Sequence, residues 1–391
     1  MRKIMAFILA AILFLDVVSL GVILFAKAEE TSDENLTTDL EDDEIFERAK
    51  VVIAGNNFIQ TKIIDQANSR ETRDNYKFDY LYENIADYVN AADSAVITQE
   101  GLISSTHGVS GEGFLNAPEQ LGDDLIKAGF NVVDLATNHS LDYGEQGFIN
   151  TLNYWNTKSD VITVGAYRDK SESQRVAIQR VNGVSIAYIA FTESVNGNHK
   201  LPDDSEAELA MAEHESWLSE SLSYANKKAD VVVVLAHWGN EYETEPTDAQ
   251  KVLAEKMAEW GADIIVGTHP HMVQPVEYIE NDSKEKPRTL VVWSLGNFVS
   301  AQEKPEYVLG GLLTFDIVKN PDPYRVTLEN IEIKGVVTHY GMNQSNIRVY
   351  LLDDYTDELA SKHGLKETYS DFSVKYLKKL LSQVVDKQFL K

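Results

Sequence analysis

From Ala49 onward the chain repeats one device: a short, strongly apolar run that stops abruptly at a small group of polar residues. Such runs extend from Lys50 to Ala54, Ser94 to Thr98, Val132 to Ala136, Val161 to Val164, Ser185 to Phe191, Val231 to Ala236, Ile264 to Gly267, Thr289 to Ser294 and Gly310 to Ile317. Apolar runs of this length, rich in Val and Ile, predict strands buried on both faces. Amphipathic stretches lie between them, with helical spacing over Tyr80 to Asn90, Pro118 to Ala128, Gln146 to Trp155, Ala207 to Lys227 and Asp248 to Trp260. Strands alternating with helices specify an α/β fold in layers. No internal repeat is present. After about Lys319 the texture changes to a short β region, Val326 to Thr338. From 339 to 391 follows a charged, partly helical tail that reads as peripheral to the 49–338 domain.

The N-terminus has a different character. Met1-Arg2-Lys3 precedes a run from Ile4 to Ala26 that is apolar apart from Asp16 and Ser19. Spanning a bilayer takes about 20 such residues. Basic residues before the run, and ten acidic residues with no basic one between Glu29 and Glu47, place the N-terminus inside and the rest outside. Ala26-Lys27-Ala28 fits a signal-peptidase site, but the run exceeds the usual apolar core of a signal peptide, about 7–15 residues. Residues 1–28 therefore read as a single-pass membrane anchor, with cleavage as the other reading. Residues 29–48 read as an acidic stalk too poor in apolar side chains to pack.

Charge and cysteine content narrow the function. With 62 acidic against 35 basic residues and a net charge of -27, the average field repels polyanions, so nucleic acid is excluded as a partner. The absence of cysteine removes disulfides, thiolate zinc sites and a catalytic thiol. Any anionic ligand then needs a local positive centre, which a metal would supply.

Five of the apolar runs end in side chains of one chemical kind: Gly55-Asn56-Asn57, Gln99-Glu100-Gly101, Thr137-Asn138-His139 with Asp142, His237-Trp238-Gly239 with Glu241, and Thr268-His269-Pro270-His271. In α/β folds, sites form at strand ends. Gathered along one sheet edge, these clusters would surround a cleft with imidazoles, amides and carboxylates. That donor set suits zinc, manganese or iron(II). Each residue also has a plain role: Asn138 can cap a helix, Asp142 can hold a turn, and a single His after a strand can simply pack. The His269-Pro270-His271 spacing predicts an extended segment with both rings on one side. Asp142 stands where it could orient the His139 imidazole. Trp238 and Trp293 read as core residues, with lining of the cleft as the other reading.

The stretches LATNHSLDYGEQGF from Leu135, VVVVLAHWGNEYETEP from Val231, GADIIVGTHPHMVQPVE from Gly261 and VVWSLGNFV from Val291 together resemble the CapA/PgsA family of capsule and poly-gamma-glutamate synthesis proteins. FLNAP from Phe114 and Asn196-Gly197 agree with it, and the resemblance runs from about Val51 to Val299. It implies a layered α/β sandwich similar to the calcineurin-like metallophosphoesterases. It makes Glu100, Asn138, His237, His269 and His271 metal-site residues, and His139 a catalytic or phosphate-facing group. Two positions depart from the family pattern. Gly55-Asn56 stands where Gly-Asp is usual, and Thr98 where Asn is usual. Asn56 can still offer a carbonyl oxygen to a metal, but no charge, which weakens one of two ion positions.

The resemblance further implies one or two divalent ions and work at the cell membrane, outside the cytoplasm, beside a membrane synthase or export complex for an anionic surface polymer. Two functions follow. One is metal-dependent hydrolysis with His139 and Asp142 as the acid pair; the other is a non-catalytic polymer-binding or synthase scaffold that keeps a degenerate metal site.

Overall fold

Alternation within single strands shows how the layers form. In Val231–His237, Val231, Val233 and Leu235 face one apolar core, while Val232, Val234 and Ala236 face another. A strand apolar on both faces needs a cover on each side. The computed structural model describes residues 47–69, 75–197, 199–280, 288–321 and 324–390, and Phe46–Lys391 forms one compact unit.

In chain order the principal strands are β1 (Glu47–Phe58), β2 (Ser94–Glu100), β3 (Val132–Asp134), β4 (Ile162–Val164), β5 (Ala177–Val181), β6 (Val184–Thr192), β7 (Val231–His237), β8 (Ile264–Thr268), β9 (Val276–Glu280), β10 (Arg288–Val292), β11 (Asn297–Val299), β12 (Leu309–Pro321), β13 (Tyr324–His339) and β14 (Arg348–Leu351). They make two mixed sheets. The first has the order β14-β13-β12-β1-β2-β3-β4 with β11 beside the end of β1, and the second has the order β9-β10-β8-β7-β6-β5. Within them, β1 to β4 run parallel in one sheet and β6, β7, β8 and β10 in the other.

The sheets share an apolar core in which Val51, Val96 and Val133 meet Ile186, Val233 and Val266. Ser94 Oγ and Tyr188 Oη join the layers at 2.6 Å. Helices Glu215–Asn226 and Asp248–Trp260 cover the far face of the second sheet through Leu218, Leu222, Ala254 and Met257. The second of these helices is well specified locally: Thr247 and Gln250 form a capping box, and Gly261 ends it in the left-handed region at φ 110.

Several expectations change. The five polar clusters do not share one sheet edge: those of β1, β2 and β3 end the first sheet, and those of β7 and β8 end the second. The reason is non-local, because β6, β7 and β8 pair with one another and leave the site to form where two sheets meet. The helix expected over Tyr80 to Asn90 is two short ones, Asp79–Tyr82 and Ala86–Asn90. The one expected from Ala207 begins at Glu215, because Glu208–Leu209 pairs with Ala166–Tyr167.

The tail is also integrated: β14 pairs with β13, and Phe372, Leu377 and Phe389 lie in the main core. Glu47 and Arg48, read as the end of the stalk, begin β1. The anchor, residues 1–28, and the rest of the stalk fall outside the described residues. Among the described residues no helix is long and apolar enough to cross a membrane.

Candidate functional site

A register shift delivers the first site residue. Between Ile53 and Asn56 the pairing of β1 with β2 slips, and Asn56 comes to lie opposite Asn297 of β11. Gly55 makes this possible, since a Cβ there would stand 2.1 Å from the Gly296 carbonyl oxygen. Asn56 and Asn57 then serve opposite faces. Asn57 is consumed by structure, donating to Gln99 Oε1 and accepting from Tyr82 Oη. Asn56 is fully buried with its Oδ1 unpartnered, and its Nδ2 is 3.4 Å from His271 Nδ1.

Glu100, at the end of β2, is the electrostatic centre. It is 1% exposed, and neither carboxylate oxygen has a hydrogen-bond partner among the described residues. His271 Nε2 lies 3.7 Å and His139 Nε2 4.0 Å from its Oε1. Burial pushes the Glu100 carboxyl above its ordinary pKa, against the pull of His271 and His139. His271 has Nδ1 held at 2.9 Å by Asn297 Oδ1, whose amide nitrogen is committed to the Gln302 side chain and the Tyr307 carbonyl. With Nδ1–H donating to Asn297, the ring turns Nε2 towards Glu100. The unpartnered carboxylate and this nitrogen then face each other across a dry gap, an arrangement that calls for a shared cation or proton.

The second sheet supplies the remaining imidazoles. His237, 1% exposed, has Nε2 at 2.9 Å from Asn138 Oδ1 and Nδ1 at 3.0 Å from Thr268 Oγ1. Burial, and then the neighbouring His269 and His271, hold its pKa well below the ordinary range. His269 is lowered to about 4, first by burial and then by His271 and His139, and its Nδ1 is unpartnered. Both rings are therefore neutral at pH 7, the form in which imidazole binds metal. The His269-Pro270-His271 segment is not extended: His269 has φ 92 and His271 φ 58. Backbone strain of about 1–3 kcal/mol per residue is tolerated where the surroundings fix it. Here the Tyr242 N–H bonds to the Pro270 carbonyl, and the Tyr242 ring stacks on His271.

His139 stands at the mouth, 12% exposed. Its Nδ1–H donates to Asp142 Oδ2 at 2.6 Å, and that oxygen also accepts from Leu115 N at 2.6 Å. Burial draws the His139 pKa down, but the Asp142 hydrogen bond and the Glu100 charge outweigh it, and the net shift is upward. Beside the mouth opens a cleft of about 750 Å³, walled by Leu141, Val195, Leu201, Met211 and Trp217.

Asn56, Glu100, Asn138, His139, Asp142, His237, His269 and His271 are thus linked into one buried cluster. Trp238 and Trp293 lie behind it, each 1% exposed and stacked at 5.7 Å. Two participants were not expected, Asn297 and Asn196. Asn297 sits in VVWSLGNFV, where a Gly-Asn pair follows an apolar run just as Gly55-Asn56 does. Counting only His, Asp and Glu, no group of three or more among the described residues could hold an ion. The donor chemistry nevertheless fits a divalent cation. Neutral imidazoles, amide oxygens and one carboxylate are present, with Glu100, Asn56 Oδ1 and His269 Nδ1 all buried and unpartnered.

An α/β domain with this hard, nitrogen-and-oxygen donor set at the junction of two sheets can be compared with known proteins. The family described as bacterial capsule synthesis protein PGA_cap matches residues 50–302, and the chain belongs to that family. The PGA biosynthesis protein CapA of Bacillus subtilis (strain 168) is 38% identical over 192 residues, covering 49% of this chain and 48% of that protein. The capsule biosynthesis protein CapA of Bacillus anthracis is 31% identical over 242 residues, covering 60% of this chain and 56% of that protein. The matched region spans about half the length of these relatives. Among solved structures, a phosphatase from Mycoplasma pneumoniae aligns with 74% of this chain and 94% of its own, at 13% identity and a TM-score of 0.44.

Proposed function

We propose that the domain is a metal-dependent hydrolase acting in the synthesis of an anionic capsule polymer such as poly-gamma-glutamate, held outside the cytoplasm by residues 1–28. The observation that carries this reading is the Glu100 carboxylate, buried without a partner and faced by His271 at 3.7 Å. A carboxylate left so costs several kcal/mol, about 3 or more, unless a cation or proton meets it. Glu100, Asn56 and His271, with Asn138, His237 and His269, are the residues that would hold manganese, zinc or iron. Such an ion supplies Lewis-acid polarisation and a more acidic water.

The chain's own residues do the rest. Asp142 holds Nδ1–H of His139 and fixes the ring, leaving Nε2 to give a proton to a leaving atom. The raised pKa keeps that proton in place over more of the neutral range. The substrate is a phosphoester or a glutamyl amide, and the partners are the membrane synthase or export proteins of the same polymer. A net charge of -27 leaves such a polymer to be engaged at the metal rather than along the general surface.

A second reading has its own observation. Asn56 lacks the charge of an aspartate, and no three His, Asp or Glu side chains stand ready for an ion among the described residues, which favours a polymer-binding or synthase scaffold. Elemental analysis of the purified full chain, with turnover of a p-nitrophenyl phosphodiester and of a γ-glutamyl anilide in added manganese, separates the two. Stoichiometric metal with turnover of either compound, abolished by His139→Ala, is the expected result. No bound metal and no turnover at saturating manganese would leave the scaffold.

A further inference from the structure

Asn138 is an amide, and an amide can meet His237 with its oxygen or, turned over, with its nitrogen. Only the oxygen is a metal donor. The choice is made by a residue in the loop that follows β6 of the second sheet. Asn138 Nδ2 donates to Asn196 Oδ1 at 3.1 Å, which leaves Asn138 Oδ1 directed at His237 Nε2. The same Asn196 places its Nδ2 at 3.1 and 3.2 Å from the two ring nitrogens of His139. One side chain therefore touches both a metal-ligand candidate and the acid candidate.

The segment that carries Asn196 is anchored for this task. At its start the Glu193 N–H donates to the His237 carbonyl at 2.8 Å, and the Gly239 N–H donates to Glu193 Oε2 at 2.7 Å. Three residues on, the Asn196 N–H donates to the Asn138 carbonyl at 2.8 Å. The loop after β6 thus spans from the second sheet to the first at the point where the two halves of the site meet. Its backbone bonds do not depend on the Asn196 side chain. A change at that side chain removes the positioning while the loop stays docked.

We propose that Asn196 is a positioning residue, fixing the Asn138 amide with its oxygen inward and the His139 ring in register with it. This deepens the hydrolase reading and rests on it for its catalytic meaning.

The test uses the full chain, Asn196→Ala and Asn196→Asp, with melting temperature as a control on folding. In metal-free protein, the side-chain amide protons of Asn138, assigned through their loss in Asn138→Ser, are expected to exchange with solvent at least tenfold faster in Asn196→Ala than in wild type. Manganese affinity, by calorimetry, is expected to fall about 10- to 100-fold in Asn196→Ala, the range usual for residues that orient metal ligands. Asn196→Asp keeps an acceptor for Asn138 but replaces the amide nitrogen packed against the His139 ring with a second oxygen. It is expected to hold manganese within about threefold of wild type while kcat falls at least tenfold with KM little changed. Unchanged amide exchange in Asn196→Ala overturns the proposal, whatever the metal does. If wild type binds no manganese, the hydrolase reading fails, and the exchange measurement still decides whether Asn196 holds Asn138.

Discussion

Asn56→Asp would place a second carboxylate in a pocket that already buries the unpartnered Glu100. Asn56 is fully buried, and among the described residues its one side-chain partner within hydrogen-bond range is His271 Nδ1 at 3.4 Å, so the new charge gains no donor from them beyond that ring. An uncompensated buried charge costs about 3–5 kcal/mol. With an unfolding entropy of ~2.1 cal/mol/K per residue, a domain of this size changes by about 0.7 kcal/mol per degree, so 3 kcal/mol lowers Tm by ~4 °C.

Manganese at ~100 times its Kd returns about 2.7 kcal/mol, nearly the whole deficit. The assay is differential scanning calorimetry of both proteins at pH 7.5, in EDTA and in manganese. The variant should melt lower than wild type in EDTA and gain more from the ion. Burial raises the pKa of the new group, so the folded state holds its proton longer than the unfolded chain. The EDTA deficit therefore grows as pH rises above about 4 and is absent below it. A variant that melts with wild type in EDTA, and is raised equally by manganese, would refute the reasoning that Asn56 occupies a ligand position.

Three further outcomes follow from other residues. Asp134 is fully buried, accepts from Ala136 N and Thr98 Oγ1, and burial raises its pKa from 3.8 to about 8. Between those values the folded state holds a proton that the unfolded chain has lost, so stability falls as pH rises through that window. Asp134→Asn should flatten that slope in urea unfolding and be the more stable protein at pH 8, by up to ~4 kcal/mol. Asp142→Asn leaves an amide oxygen to accept from His139 but removes the negative charge that, with that hydrogen bond, keeps the His139 pKa up. Because a raised histidine stabilises below its unfolded pKa and loses that contribution as pH rises through its folded one, the deficit should be largest at pH 5–6 and shrink towards pH 9. In turnover, the high-pH limb of kcat should move to lower pH. Gly267→Ala puts a Cβ 1.8 Å from the Trp293 carbonyl and 2.6 Å from Trp238 Nε1. Overpacking of this kind costs about 1–3 kcal/mol, with the backbone clash here pointing to the upper end, visible as a lower urea midpoint with an unchanged slope.

Much of the fold is legible because its signals are local. Val231–His237 and Ile264–Thr268 are apolar on both faces and bounded by polar ends, and each is found within a residue of its sequence limits. Asp248–Trp260 carries its own capping box and its terminal glycine, so its ends are written into the sequence. The helix expected from Ala207 starts eight residues late because a strand pairing elsewhere in the chain claims Glu208–Leu209. Residues 339 to 391 are charged on average, and that average hides the spaced apolar positions, Phe372 and Leu377 among them, that join the core.

The sequence alone determined which residues could do chemistry here: amides, imidazoles and carboxylates placed directly after buried strands, in a chain whose charge and lack of cysteine excluded most alternatives. The tertiary structure decided how those residues meet. It divided the strand ends between two sheets, gave His269 and His271 positive φ, and turned Asn57 away from the site beside Asn56. It also brought in Asn196 and Asn297 to fix the orientations of Asn138 and His271. Donor chemistry belongs to each residue by itself. Orientation depends on what faces it, and that is set by pairing and burial among segments far apart in the chain.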